Sequence, residues 1–145
     1  MTLVIRPHEG MGPISFGMTR AEVKAALPVP REFPEQISDR SLWVTVTFDP
    51  VTDRCHWVGT LPEGEPAVLG VPLIAPVGEL AKWLLAAGYS LLIGTGVIDG
   101  WLRCDDIGVC ITRNGADDEE IEAVGAYARG CWDADEDWEP YGHPQ

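Results

Sequence analysis

The residues best equipped for chemistry lie near the end of the chain. Asp117, Asp118, Glu119, Glu120 and Glu122 precede one apolar run, and Asp133, Asp135, Glu136, Asp137 and Glu139 follow it, with Arg129 between them. Carboxylates this dense can solvate a surface, hold a cation or steer a basic partner. A calcium loop beginning at Asp133 lacks the glycine at its sixth position and the glutamate at its twelfth. Trp132, Trp138 and Tyr141 are interleaved with the carboxylates, and aromatics beside steering charges are the residue types that anchor protein interfaces. Asp117, Asp118, Glu119, Asp133, Asp135, Glu136, Asp137, Trp132 and Trp138 are therefore the candidate partner-binding residues. The alternative reading of the same residues is a solubilising surface.

Other chemistry finds little support. Cys104 and Cys110 are too far apart for a zinc knuckle, and Cys55-His56 has no second ligand pair to close a tetrahedral site. Of the three histidines, His8, His56 and His143, the last lies in a Pro/Gly-rich end that cannot hold catalytic geometry. Gly94-Thr95-Gly96 lacks the third glycine, the following helix and the Lys-Ser/Thr of a phosphate loop, so it reads as a turn. The expectation is a chain that is not an enzyme and uses no metal or cofactor.

Charge sharpens the choice of partner. The 145 residues carry 23 Asp plus Glu against 10 Lys plus Arg, a formal charge of −13. Such a field repels phosphate backbones and anionic lipid, which disfavours nucleic acid and membrane as partners and attracts a basic protein. Hydrophobic residues make up 46% and charged residues 23%, the mix of a folded domain. At this length one core suffices, so residues 1–145 are read as a single binding domain with an acidic C-terminal tail over 132–145. The opening residues reach Arg6 and Pro7 too early for a secretory h-region, and four cysteines do not make a disulfide scaffold. A cytoplasmic protein with reduced thiols is expected.

The elements that must position these residues begin with a first strand over 3–5, and 8–13 bend the chain before Ile14 and Phe16 re-enter the core. Thr19 with Glu22 makes a capping box, Val23, Ala26 and Leu27 give a helical face, and Pro28 ends the helix. Residues 28–41, with three prolines, read as a long exposed connection. Over 42–48 the period is two, with Leu42, Val44, Val46 and Phe48 inward and Trp43, Thr45 and Thr47 on the opposite face, where a partner could be received. Residues 49–53 turn the chain back into a partner strand over 54–60.

After a loop over 61–66, residues 67–71 suit another strand. A second helix starts near Pro76, with Leu80, Trp83, Leu84 and Ala87 as its apolar stripe and Gly88 as its C-terminal cap. Strands are expected over 89–93, 97–103, 108–112 and 121–127. The fold class is α+β, two helices on a mainly antiparallel sheet. Helix-then-strands occurs twice, which raises a tandem repeat without deciding it.

The stretch Gly10-Met11-Gly12-Pro13-Ile14-Ser15-Phe16-Gly17-Met18-Thr19, followed by Glu22-Val23, resembles the G-x-G-P-I-x-F-G-M-T-x-x-E-V opening of a family of small bacterial immunity-like proteins found beside polymorphic toxins. Its part from Gly17 to Val23 is similar to the helix-opening motif of outer-membrane assembly lipoproteins and β-lactamase-inhibitor-like repeats, which are also binding folds. The resemblance implies an immunity protein of interbacterial competition that blocks a cognate toxin. With the charge, it suggests that the acidic C-terminal region meets a basic active-site surface on a nuclease, deaminase or NAD-consuming toxin. The alternative is an adaptor or chaperone module for a secreted effector.

Overall fold

The computed structural model describes residues 2–131 and 137–142. The described residues form an α+β fold, with two helices against two sheets that are antiparallel except at one pairing. β1 (Leu3–Arg6), β2 (Gly10–Met11), β3 (Ile14–Ser15), β8 (Pro66–Val68) and β9 (Val71–Pro72) form the smaller sheet, in the order β3-β2-β1-β8-β9. Its β1 and β8 are the parallel pair.

Among the described residues the larger sheet has nine strands. They are β4 (Arg31–Glu32), β5 (Gln36–Asp39), β6 (Val44–Phe48), β7 (Cys55–Thr60), β10 (Leu91–Gly94), β11 (Leu102–Cys104), β12 (Val109–Thr112), β13 (Ala123–Tyr127) and β14 (Trp138–Tyr141). Their order is β14-β10-β11-β12-β13-β7-β6-β5-β4. α1 (Arg20–Ala26) precedes β4 to β7, and α2 (Val77–Ala86) precedes β10 to β13. Each half is thus a helix followed by four strands in succession, and the halves meet where β7 pairs antiparallel with β13.

Local chemistry accounts for the helices. The Thr19 side chain accepts from the Glu22 amide while the Glu22 carboxylate accepts from the Thr19 amide, satisfying donors that the first turn leaves free. Leu27 is extended at the end of α1, as the residue before a proline must be. Arg20 then staples three segments together. Its guanidinium donates to the Asp53 carboxylate, to Glu32 and to the Phe33 and Pro34 carbonyls.

One face of the large sheet is apolar. Ile37, Val46, Val58, Ala126 and Val109 are paired across five strands and share the core with Val23 of α1, Leu27 just after it, and Leu80, Ala81 and Leu84 of α2. The alternate row on the other face runs Arg31, Ser38, Thr45, Gly59, Gly125, Cys110, Arg103, Leu92 and Pro140. Cys55, Cys104 and Cys110 are buried as free thiols.

Several sequence expectations need correction. Residues 28–41 contain β4 and β5, a hairpin closed by the Phe33 amide on the Gln36 carbonyl. Its pairing was hidden by prolines and by Asp39, a carboxylate that is buried. The strand expected over 42–48 starts at Val44, because Trp43 has a left-handed φ of 60°. The run 67–71 is a hairpin, since Leu69 and Gly70 are both left-handed, as a tight two-residue turn requires. Residues 97–103 are mostly a turn with one 3-10 segment, and only Leu102 and Arg103 of them enter β11. Residues 138–141 of the expected tail form β14, an edge strand on β10.

Candidate functional site

Pairing register places the site. Val44, Thr60, Val124, Ile111, Leu102 and Ile93 form one continuous row across six strands. The residues just beyond that row, including Trp43, Leu61, Thr112, Trp101, Gly94 and Trp138, therefore share one end of the sheet. The loops that continue from them make a rim. Exposed apolar side chains collect there: Val97 is 99% exposed, Ile74 61%, Trp43 44% and Leu61 41%.

Four shallow hollows run along this rim and share walls. One of about 300 Å³ lies between Trp43, Leu61, Arg40 and Thr45, and one of about 140 Å³ lies on the other side of Trp43, beside Leu42 and Glu63. A third, about 450 Å³, takes in Leu61, Glu63, Ile74, Glu120 and Glu122. The last, about 370 Å³, joins it at Glu122 and is lined by Val97, Asp99 and Trp101. Among the described residues their walls carry four exposed carboxylates, Glu63, Asp99, Glu120 and Glu122, and two arginines. Arg113 is buried, donating to the Gly100 carbonyl at 2.6 Å and the Asp118 carbonyl at 3.0 Å, so its charge orders the loop. The surface is open and studded with apolar groups, and among the described residues its four exposed carboxylates outnumber its one exposed arginine, Arg40.

The sequence-predicted acidic segment 117–122 lies here, and Asp137 of the second segment is placed at the same end of the sheet. Asp117 is exposed, while the Asp118 carboxylate accepts from the Glu120 amide at 2.9 Å. Glu119 serves the neighbouring helix instead, because its carboxylate accepts from the Gly78 amide at 2.8 Å and its carbonyl from the Val77 amide at 3.0 Å. It caps α2, whose N-cap residue Pro76 has no side-chain oxygen to offer. Asp137 reaches the same end through its carbonyl, which accepts from the Thr95 amide and hydroxyl at 2.8 and 3.1 Å. Trp138 is half-buried in β14 with the Arg103 guanidinium 5.4 Å from its ring centre. Trp132, Asp133, Asp135 and Glu136 lie outside the described residues.

Sequence reasoning missed Glu63, Ile74, Val97 and Asp99 as parts of this surface. Only strand register brings them beside residues 117–122, and no local pattern announces it. Trp43 left a signal, because alternation put it on the face away from the core.

The opposite end of β11 to β13 holds a polar cluster in a cavity of about 270 Å³ lined by His8, Arg103, Asp105, Tyr127 and Arg129. The Tyr127 hydroxyl donates to Asp105 at 2.5 Å, and Arg103 grips the same carboxylate with two bonds of 2.7 and 2.9 Å. Burial and the Asp105 charge push the Tyr127 hydroxyl far up, while burial of Asp105 is outweighed by the bonds from Arg103 and Tyr127, which hold it below the carboxylate range. A protonated tyrosine and a carboxylate already holding three hydrogen bonds make a brace for the sheet and a poor acid-base pair. His8 beside them bonds the Asp106 carbonyl through Nε2 at 3.0 Å and keeps a buried Nδ1 without a hydrogen-bond partner among the described residues. The three buried thiols are held in their protonated form, since burial pushes Cys55 and Cys110 up to about 12 and Cys104 to about 11.

Among the described residues no group of three or more His, Cys, Asp or Glu side chains is placed to hold a metal ion, and no helix is long and apolar enough to cross a membrane. Comparison with protein-family models, with curated proteins and with solved structures yields no match.

Proposed function

We propose that this chain is an immunity protein that binds a cognate bacterial toxin in the cytoplasm and covers its active site, with the acidic rim of the large sheet turned towards a basic surface on the toxin. The observation that carries the reading is the convergence of exposed carboxylates and exposed apolar side chains on one end of a sheet whose other end is braced by the hydrogen bonds of Tyr127 and Arg103 to Asp105. A net charge of −13 steers a cationic partner from a distance and repels the polyanions that many toxins act upon. Once docked, Glu63, Glu120 and Glu122 face Lys or Arg while Trp43, Leu61 and Ile74 displace water, and inhibition is stoichiometric. A binding role is also consistent with Tyr127, Cys55, Cys104 and Cys110 being held protonated, which disfavours these four groups as nucleophile or general base.

The test is co-expression with the product of the open reading frame adjacent to this protein's gene. Growth arrest by that product alone, relieved by this chain and not by a variant with Glu63, Glu120 and Glu122 replaced by lysine, is expected. A harmless neighbour, or one that stays lethal beside this chain, refutes the immunity reading.

A further inference from the structure

We infer that Trp43 is the preorganised anchor of this docking surface, inserted into an apolar slot bordered by Lys or Arg on the partner protein, and that Asp39 is its positioning residue. The inference rests on the docking reading above and names the part of the rim that holds the partner once it has arrived.

Trp43 is unusual in two independent ways. It adopts a left-handed backbone conformation with φ 60°, which a side chain with a Cβ disfavours, and it leaves almost half of the largest apolar side chain in water. Neither feature serves the core, which closes beneath it through Val44 and Ile37. Strain retained at an exposed aromatic indicates a conformation that the surroundings enforce.

Asp39 is what enforces it. The residue is 1% exposed, and its carboxylate accepts from the Ser41 amide at 2.8 Å, the Ser41 hydroxyl at 2.5 Å and the Leu42 amide at 3.3 Å through one oxygen, and from the Val29 amide at 2.6 Å through the other. Four donors on one buried carboxylate hold the backbone at residues 41 and 42, which leads straight into Trp43, and the indole stands as a ridge between the hollow that it shares with Leu61 and the one that it shares with Glu63. A side chain already held in place loses little freedom on binding, which is how a single aromatic comes to dominate an interface. Arg40 flanks the indole on one side and Glu63 on the other, and Glu120 and Glu122 in the adjoining hollow tip the border to net negative, which calls for Lys or Arg on the partner's slot.

The experiment measures association and dissociation of the purified, catalytically silenced product of the adjacent open reading frame with wild-type chain, Trp43→Ala, Asp39→Asn and the double variant. Trp43→Ala is expected to weaken affinity by roughly 30-fold or more, almost wholly through faster dissociation, with the association rate within about threefold and the melting temperature within about 3 °C of wild type. Asp39→Asn is expected to weaken binding in the wild-type background and to add nothing once Trp43 is alanine, a coupling that a merely structural residue does not show. Unchanged dissociation for Trp43→Ala beside a tightly binding wild type overturns the anchor and leaves the docking reading intact. A wild-type chain that does not bind overturns both, and a fall of about 10 °C or more in Trp43→Ala assigns the residue to the fold.

Discussion

The indole of Trp57 packs against the backbone of Gly125 on the neighbouring strand β13, so closely that a Cβ on Gly125 would overlap Cζ2 and lie 2.7 Å from Cε2 of the ring. Gly59 stands directly opposite Gly125 in the register, and Trp57 is opposite Tyr127, with which its ring stacks at 5.9 Å and 12°. The pair sits at the junction of the two helix-plus-strands halves, so the junction depends on a missing side chain. Gly125→Ala is expected to destabilise the protein by about 2 kcal/mol through overpacking, and Trp57→Leu in the same chain to recover part of that loss. Urea unfolding of the two single variants and the double variant checks it; strictly additive effects would contradict the packing account.

The helix cap supplied from a distance gives a second expectation. Glu119 reaches α2 from far along the sequence to accept from the Gly78 amide. Glu119→Ala should lower stability by about 1 kcal/mol, the usual worth of a lost N-terminal cap, with Glu119→Gln losing less. Equal stability of Glu119→Ala and wild type in denaturant unfolding would show the bond to be idle.

Asp39 adds a pH dependence whose sign can be worked out. Burial pushes its carboxyl up, but the hydrogen bonds from Ser41, Val29 and Leu42 outweigh burial and hold it below its ordinary value. A carboxylate depressed in the folded state contributes stability that is present above its unfolded value of about 3.9 and is lost as pH falls through the folded value. Wild type should therefore be more stable than Asp39→Asn at pH 7, with the gap closing below about pH 4. Urea midpoints from neutral pH down to about pH 2.5 test this, and parallel curves for the two proteins would contradict it.

Much of the framework was legible in the sequence. The capping box at Thr19 and Glu22, the alternation from Val44 to Phe48 and the Pro76-to-Gly88 helix are local patterns with local physical causes, and each appears in the fold. The hairpin β4-β5 was hidden because its inward residues include a buried aspartate, which reads as surface. Trp43 and Leu69 break their expected strands because left-handed conformations at non-glycine residues leave no trace in composition. The acidic residues 117–119 were visible as chemistry but not as architecture, since only strand register brings them to the end of the sheet where Leu61, Ile74 and Val97 are exposed. Only tertiary contact turns Glu119 from a surface charge into a helix cap.

The central claim is that the acidic rim steers and holds a cationic protein, and the association rate with the silenced adjacent gene product, followed from low to high salt, tests it most directly. The account predicts a rate for wild type that falls steeply as salt rises, and a rate for the Glu63, Glu120 and Glu122 to lysine variant that is at least about tenfold slower at low salt and nearly flat. Association of both proteins at the same rate across that range would contradict it.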